Sequence, residues 1–175
     1  MSSPLDLARA ATSYGLPGAA ASSSLPARPL DDTTWGLTLR RVVASRCTGH
    51  LAASISDGAF AATDEQASQV LDAHETALGV DLVLERLLVV TLTSLAASDV
   101  RARALKGAAL AHAAYPDPAL RSYGDVDILV DAAGYDAAVE HLHDLGASAA
   151  TRSRGRASST ASARASAWSW PTGTR

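Results

Sequence analysis

Residues 105–130 read LKGAALAHAAYPDPALRSYGDVDILV, and this stretch decides the fold. The preceding segment, Val100–Leu105, alternates apolar and basic side chains, which predicts a short strand. Lys106–Gly107 ends that strand, and the small residues of Ala108–Ala114 predict a short helix. Two prolines, two positions apart, then force a loop. Tyr123–Val130 ends in an apolar run and predicts a second strand, so the order is strand, helix, strand.

A helix is predicted directly after the second strand. Asp131 is a favourable N-cap residue, and the apolar positions that follow recur at helical spacing as far as Leu145. Gly146 is well placed as the C′ residue, because glycine adopts the left-handed conformation that commonly ends a helix.

The residues before the first strand are predicted to be mostly helical. Thr63 and Gln66 have the spacing of a capping box, which starts one helix. Gly79 is expected to interrupt that helix, and a more apolar one follows over Asp81–Ala97. The predicted organisation has four parts: a flexible arm, a helical region, a strand–helix–strand–helix core and a disordered basic tail, over residues 1–30, 31–98, 99–147 and 148–175.

Composition restricts the class of protein. Hydrophobic residues make up 47% and aromatic residues 5%, so the core must consist mainly of Leu, Val and Ala. Cys47 is the single cysteine, which excludes an internal disulfide and favours a cytoplasmic location. Residues 1–150 carry all 18 acidic residues, so nucleic-acid binding through them is not expected. The longest uncharged apolar stretch, Leu87–Ala97, is far shorter than the roughly 20 residues that span a bilayer, and no membrane association is expected.

Asp125 and Asp127 are the candidate metal ligands. Residues two apart in a strand point to one face, and two adjacent carboxylates repel each other unless a cation joins them. Such hard oxygen ligands suit Mg²⁺, or Mn²⁺ in its place, with further ligands from water and phosphate. The alternative interpretation is a solvated strand end.

Gly107 is the candidate phosphate-binding residue. A glycine between a strand and a helix lets the backbone approach a ligand closely, and a helix N-terminus attracts anions. Lys106 and Arg121 are candidates for further phosphate contacts. The alternatives are a surface lysine and an arginine that pairs with Asp117 or Asp125.

Taken together, the Lys-Gly turn, the Tyr-Pro turn and the GDVDILV strand resemble the uncharacterised nucleotidyltransferase family of bacteria, a branch of the polymerase-β-like superfamily. The resemblance extends over about residues 65–147 and is strongest at 103–130. It implies an α+β fold, with a helical N-terminal half packed on a small, incomplete mixed sheet. It also implies Mg²⁺-dependent transfer of a nucleoside monophosphate from an NTP to an acceptor hydroxyl on a protein, a small molecule or an RNA end. Gly107 would match the nucleotide-cradling glycine, and Asp125 and Asp127 the metal-binding carboxylates.

The sequence departs from the superfamily pattern in two places. Ala108 follows Gly107, whereas many members of the superfamily have a serine there. No Asp or Glu follows Asp144, so the third carboxylate of a later strand is not found. We therefore expect a C-terminally truncated or frame-shifted chain with weak or no activity. The alternatives are a non-catalytic module that binds a nucleotide or a protein partner, and an inactive fragment.

Overall fold

The computed structural model describes residues 3–16, 25–149 and 168–169. Its helices and strands, in chain order, are α1 (Pro4–Thr12), α2 (Asp32–Ala44), α3 (Thr48–Ser56), α4 (Asp64–Ala97), β1 (Ala102–Leu105), α5 (Gly107–Ala114), β2 (Asp127–Val130), α6 (Tyr135–Asp144), β3 (Ser148–Ala149) and β4 (Trp168–Ser169). Short 3₁₀ helices occupy Pro118–Leu120 and Ala132–Gly134. The predicted α+β class is confirmed, with helices predominating over a small antiparallel sheet.

The chain divides into two compact units. The first, here called the helical unit, contains residues 1–85 and 106–124. The second, here called the sheet unit, contains residues 86–105 and 125–175. The described residues of each unit have their own buried core.

The core of the helical unit is built from α1 to α4 and the segments between them. Its buried side chains are Ala8, Ala11, Trp35, Val42, Leu51, Phe60 and Val70. Trp35 contacts the edge of the Phe60 ring, and its indole N–H donates to Gln69 at 2.7 Å. The predicted capping box is confirmed, since the Thr63 hydroxyl accepts the N–H of Gln66 while the Gln66 side chain accepts the N–H of Thr63.

Helix α1 corrects the prediction of a flexible arm over residues 4–12, which are helical. Ser3 and Asp6 form a capping box at its start, which satisfies backbone N–H groups that a helix leaves without partners. Ala8 and Ala11 are buried, and their small side chains let the helix pack closely against its neighbours. Packing therefore stabilises a helix in a segment whose composition indicated none.

Helix α4 is continuous over 34 residues, so the predicted break at Gly79 is wrong. Its buried residues follow one stripe at helical spacing: Gln66, Val70, Asp81, Leu88, Thr91 and Leu95. Gly79 lies off this stripe and is exposed. Glycine costs only about 1 kcal/mol in a helix interior, and burial of the stripe on both sides offsets that cost.

Strands β1 and β2 form one two-stranded sheet of the sheet unit. They pair antiparallel, from Ala102 opposite Val130 to Leu105 opposite Asp127. The first strand is shorter than predicted because Val100 belongs to the turn that follows α4. The N–H of Val100 donates to Leu95 O, and Asp99 adopts φ 58°.

Helix α6 follows β2 through the 3₁₀ turn. Asp131 begins that turn without the predicted side-chain cap, because its carboxylate pairs with Arg101 at 2.6 Å. Gly146 is confirmed as the C′ residue, with φ 86° and the N–H of Ala147 donating to Leu142 O. Ala138 on α6 is buried with Leu95 and Val100, which forms the core of the sheet unit.

Two short strands lie within the predicted tail of residues 148–175. Strands β3 and β4 pair antiparallel, with Ser148 opposite Ser169 and Ala149 opposite Trp168. The rest of that tail lies outside the described residues, and its disorder stays a prediction there. Among the described residues, no helix has the length and apolar character needed to cross a membrane.

Candidate functional site

The Lys106–Gly107 turn belongs to the helical unit and leads directly into α5. Lys106 has φ 51° and ψ −128°, a conformation that L-residues rarely adopt and that costs about 1–3 kcal/mol. Helix α5 starts at Gly107, and the Lys106 carbonyl accepts the N–H of Leu110 at 2.7 Å. The N–H groups of the first helical turn have no partner within the helix, which makes this end suitable for an anion.

Gly107 has a packing reason to be glycine, besides any contact with a ligand. A Cβ at this position would lie 3.1 Å from both Cβ and Cγ of Tyr123. Tyr123 is only 6% exposed, so its ring has little room to move. The turn is therefore held closely against the residues that precede the GDVD motif.

Asp81 on α4 holds Tyr123 in that position. Its carboxylate accepts the Tyr123 backbone N–H at 2.9 Å, and its carbonyl lies 3.4 Å from the Tyr123 hydroxyl. Burial raises the pKa of Asp81, although the Tyr123 N–H favours the charged form. Burial also raises the pKa of the Tyr123 phenol, which keeps it neutral.

Arg121 is half-buried in the helical unit. Its Nε atom is buried and has no hydrogen-bond partner among the described residues, and its guanidinium carbon lies 6.0 Å from the centre of the Tyr115 ring. The Asp117 carboxylate, which the sequence left open as an ion-pair partner of Arg121, caps the following turn by accepting the N–H of Ala119.

Arg46 is a further basic residue of the helical unit, and the sequence did not indicate it. It follows α2 with φ 57°, at the C′ position that glycine usually occupies, and the Cys47 N–H donates to Val42 O. Its guanidinium lies directly against the backbone of Gly124, where any Cβ would overlap it. Gly124 immediately precedes Asp125 in the chain.

The two candidate metal ligands belong to the sheet unit. Asp127 is the first residue of β2, half-buried and opposite Leu105 in the ladder. Asp125 is exposed and lies before the strand, so the prediction of a strand over Tyr123–Val130 is wrong at its start. The physical reason is that the Tyr123 N–H is bonded to Asp81 and is not available to a strand partner. The expectation that both carboxylates share one face stays a prediction.

The donor set suits a hard divalent cation, since Asp125 and Asp127 both offer carboxylate oxygens. Among the described residues, no group of three or more His, Cys, Asp or Glu side chains is arranged to hold a metal ion.

Comparison with known proteins identifies the family. The family model described as "Uncharacterised nucleotidyltransferase" matches residues 31–168, which is most of the chain. The chain belongs to this nucleotidyltransferase family. No curated protein and no solved structure matches it.

The predicted site residues of this family member divide between the two units. Lys106, Gly107 and Arg121 lie in the helical unit, whereas Asp125 and Asp127 lie in the sheet unit. The matched region includes all five.

Two residues that contact the segment before the GDVD motif were not predicted from the sequence. Asp81 had a usable signal, because it lies on the buried stripe of α4, where a carboxylate needs a hydrogen-bond donor. No feature of the sequence indicated Arg46, because only the tertiary fold brings this residue to Gly124.

Proposed function

We propose that this chain binds an NTP together with Mg²⁺ and transfers its nucleoside monophosphate slowly to an acceptor hydroxyl. The observation that carries the proposal is the family match over residues 31–168, which includes the Lys-Gly turn and the GDVD motif. An acceptor on a protein, a small molecule or an RNA end is compatible with this chemistry.

The turn before α5 supports phosphate binding. Lys106 has a backbone conformation that favours glycine, although it is a lysine, and such strain commonly marks a functional position. Gly107 then starts the helix, and the first-turn N–H groups of this helix can donate to phosphate oxygens. Lys106 and Arg121 would supply positive charge.

Asp125 and Asp127 would hold the metal. Bound Mg²⁺ would neutralise charge on the phosphates during transfer. Because the motif supplies two carboxylates and no Asp or Glu follows Asp144, we expect binding to exceed turnover. General-base assistance is typically worth about 10²–10⁴-fold in rate.

The test measures NTP binding by the full chain with and without Mg²⁺ or Mn²⁺, together with transfer of radiolabel from each α-labelled NTP. Asp127→Asn should abolish the metal-dependent part of binding and any transfer. The matched control is Asp144→Asn, an exposed acid of the same unit outside the motif, which should behave as the unmodified chain.

Two results would contradict the proposal. One is NTP binding that is independent of metal and equal in the Asp127→Asn variant. The other is rapid transfer that persists in the Asp127→Asn variant, which would locate the metal ligands elsewhere. Scoring label on the chain itself, on lysate proteins, on RNA and on small molecules identifies the class of acceptor.

A further inference from the structure

Helix α4 carries an exposed apolar face on the side opposite its buried stripe. Five large hydrophobic side chains form this exposed face: Leu71, Leu82, Val83, Val89 and Val90. Since an α-helix turns about 100° per residue, all five fall within about 120° of its circumference. Leu82 and Val83 are 67% and 68% exposed, the highest values for large hydrophobic residues in the described part of the chain. A contiguous apolar surface of this kind commonly marks a place where another molecule binds.

Two exposed charged residues, Glu75 and Arg86, lie along the centre of the exposed face. They are equally far from a midpoint between residues 80 and 81. Leu71 and Val90, near the two ends of the face, are equally far from the same midpoint. All these residues belong to one continuous helix, so their relative positions follow from helical geometry alone. The face therefore has similar apolar ends and opposite charges on the two sides of its midpoint.

This arrangement is complementary to itself. When a second copy of α4 lies antiparallel, residues equally far from the midpoint are opposite each other. Glu75 of each copy then faces Arg86 of the other, and the two apolar ends meet. A parallel pair of helices would instead bring like charges together, which is unfavourable. The charge pattern therefore favours a second copy of this chain, in antiparallel orientation, as the molecule that covers the face.

We propose that two copies of this chain associate through the exposed face, with their α4 helices antiparallel about a two-fold axis at the midpoint. Leu82 and Val83 of both copies then form the apolar centre of the contact, and the pairs of Glu75 with Arg86 lie on either side. An apolar centre flanked by polar groups is typical of specific interfaces. The face is about 28 Å long, which is small for a stable dimer, so we expect a dissociation constant on the order of micromolar.

The test is sedimentation velocity of the full chain from about 1 to about 200 µM, a range that includes the expected dissociation constant. Nucleotide and metal are left out, because the association does not depend on the proposed function. The unmodified chain should form a reversible dimer as its concentration rises. Leu82→Glu places an acid at the apolar centre of both copies and should weaken the association at least about tenfold. Position 82 is exposed and glutamate is a good helix former, so the melting temperature of the variant at about 1 µM should be unchanged.

Charge reversal tests the antiparallel pairing. Glu75→Arg and Arg86→Glu each create two pairs of like charges in the dimer, and each should weaken association at least about fivefold. The double variant restores opposite charges at both pairs and should associate like the unmodified chain. The matched control is Leu37→Glu, which places the same acid at a partly exposed leucine of α2 and should change the association by less than about twofold.

Four results would overturn the proposal. The first is a chain that stays monomeric up to about 200 µM, which would leave the exposed face for a different protein. The second is an unchanged dimer in Leu82→Glu, which would place the contact elsewhere. The third is an equal loss in Leu37→Glu, which would mean nonspecific apolar association. The fourth is a double variant that associates as weakly as the two single charge reversals, which would exclude the antiparallel pairing.

Discussion

Gly107→Ala is expected to destabilise the fold, although alanine is the better helix former. The added methyl would lie 3.1 Å from Cβ and Cγ of Tyr123 and 3.3 Å from its Cδ2. These distances are too short for ordinary van der Waals contact, so the tyrosine or the turn must move by a few tenths of an ångström. Asp81 resists that movement, because it holds the Tyr123 backbone through a 2.9 Å hydrogen bond in a buried position.

The magnitude follows from two opposing effects. Insertion of a methyl group into a tightly packed site typically costs about 1–3 kcal/mol. Replacement of glycine by alanine in a helix returns up to about 1 kcal/mol. With the full return of about 1 kcal/mol, the balance for Gly107→Ala is a loss of up to about 2 kcal/mol in the free energy of unfolding.

Gly79→Ala is the matched control, because Gly79 is also a helical glycine. A Cβ at this position meets nothing within 4 Å, so only the helix preference remains. The variant should be stabilised by about 0.5–1 kcal/mol. The assay is equilibrium urea unfolding of both variants and the unmodified chain, monitored by circular dichroism. The dependence of the free energy of unfolding on urea concentration should be the same for all three proteins.

The decisive result is whether each substitution raises or lowers the free energy of unfolding. If Gly107→Ala is as stabilising as Gly79→Ala, the Tyr123 contact does not restrict the turn, and the packing explanation for Gly107 is wrong. If Gly107→Ala is destabilising, the same measurement in a Tyr123→Ala background should show coupling of at least about 0.5 kcal/mol. If the effects of Gly107→Ala and Tyr123→Ala on the free energy of unfolding are additive, the lower stability of Gly107→Ala does not come from its contact with Tyr123.

Two further predictions concern the supports of this turn. Lys106→Gly should raise the free energy of unfolding by about 1 kcal/mol, because glycine adopts φ 51° without strain. The same variant should bind Mg²⁺–NTP more weakly. A lower free energy of unfolding in urea would contradict the prediction for stability. Burial raises the pKa of Asp81 above its usual 3.8, so the folded state favours the protonated carboxyl. The stability that protonated Asp81 contributes to the fold is lost as pH rises through its folded-state pKa. The stability of the unmodified chain relative to Asp81→Asn should therefore fall as pH increases from about 4 to 7, whereas a constant difference across these pH values would contradict this prediction.

The sequence was sufficient for features that depend on neighbours in the chain. The capping box of Thr63 and Gln66 and the left-handed Gly146 were predicted because each involves contacts within a few residues. The order of strand, helix and strand was predicted because the pattern of apolar residues changes with each element. The GDVD motif with its Lys-Gly turn pointed to the family that the comparison then identified.

Local patterns were misleading where packing outweighed propensity. Helix α1 forms because Ala8 and Ala11 are buried, although the arm around it is rich in Ser, Gly and Pro. Helix α4 continues through Gly79 because the buried stripe on both sides stabilises it more than one glycine destabilises it.

Only the tertiary structure showed how the candidate residues are supported. It placed the Asp81 carboxylate on the Tyr123 N–H, which draws that residue out of the strand and leaves Asp125 ahead of β2. It also placed the Arg46 guanidinium on Gly124, a contact between residues 78 positions apart in the chain. The physical reason is that hydrophobic periodicity and capping depend on residues a few positions apart, whereas hydrogen bonds and charge contacts between distant segments depend on how the chain packs.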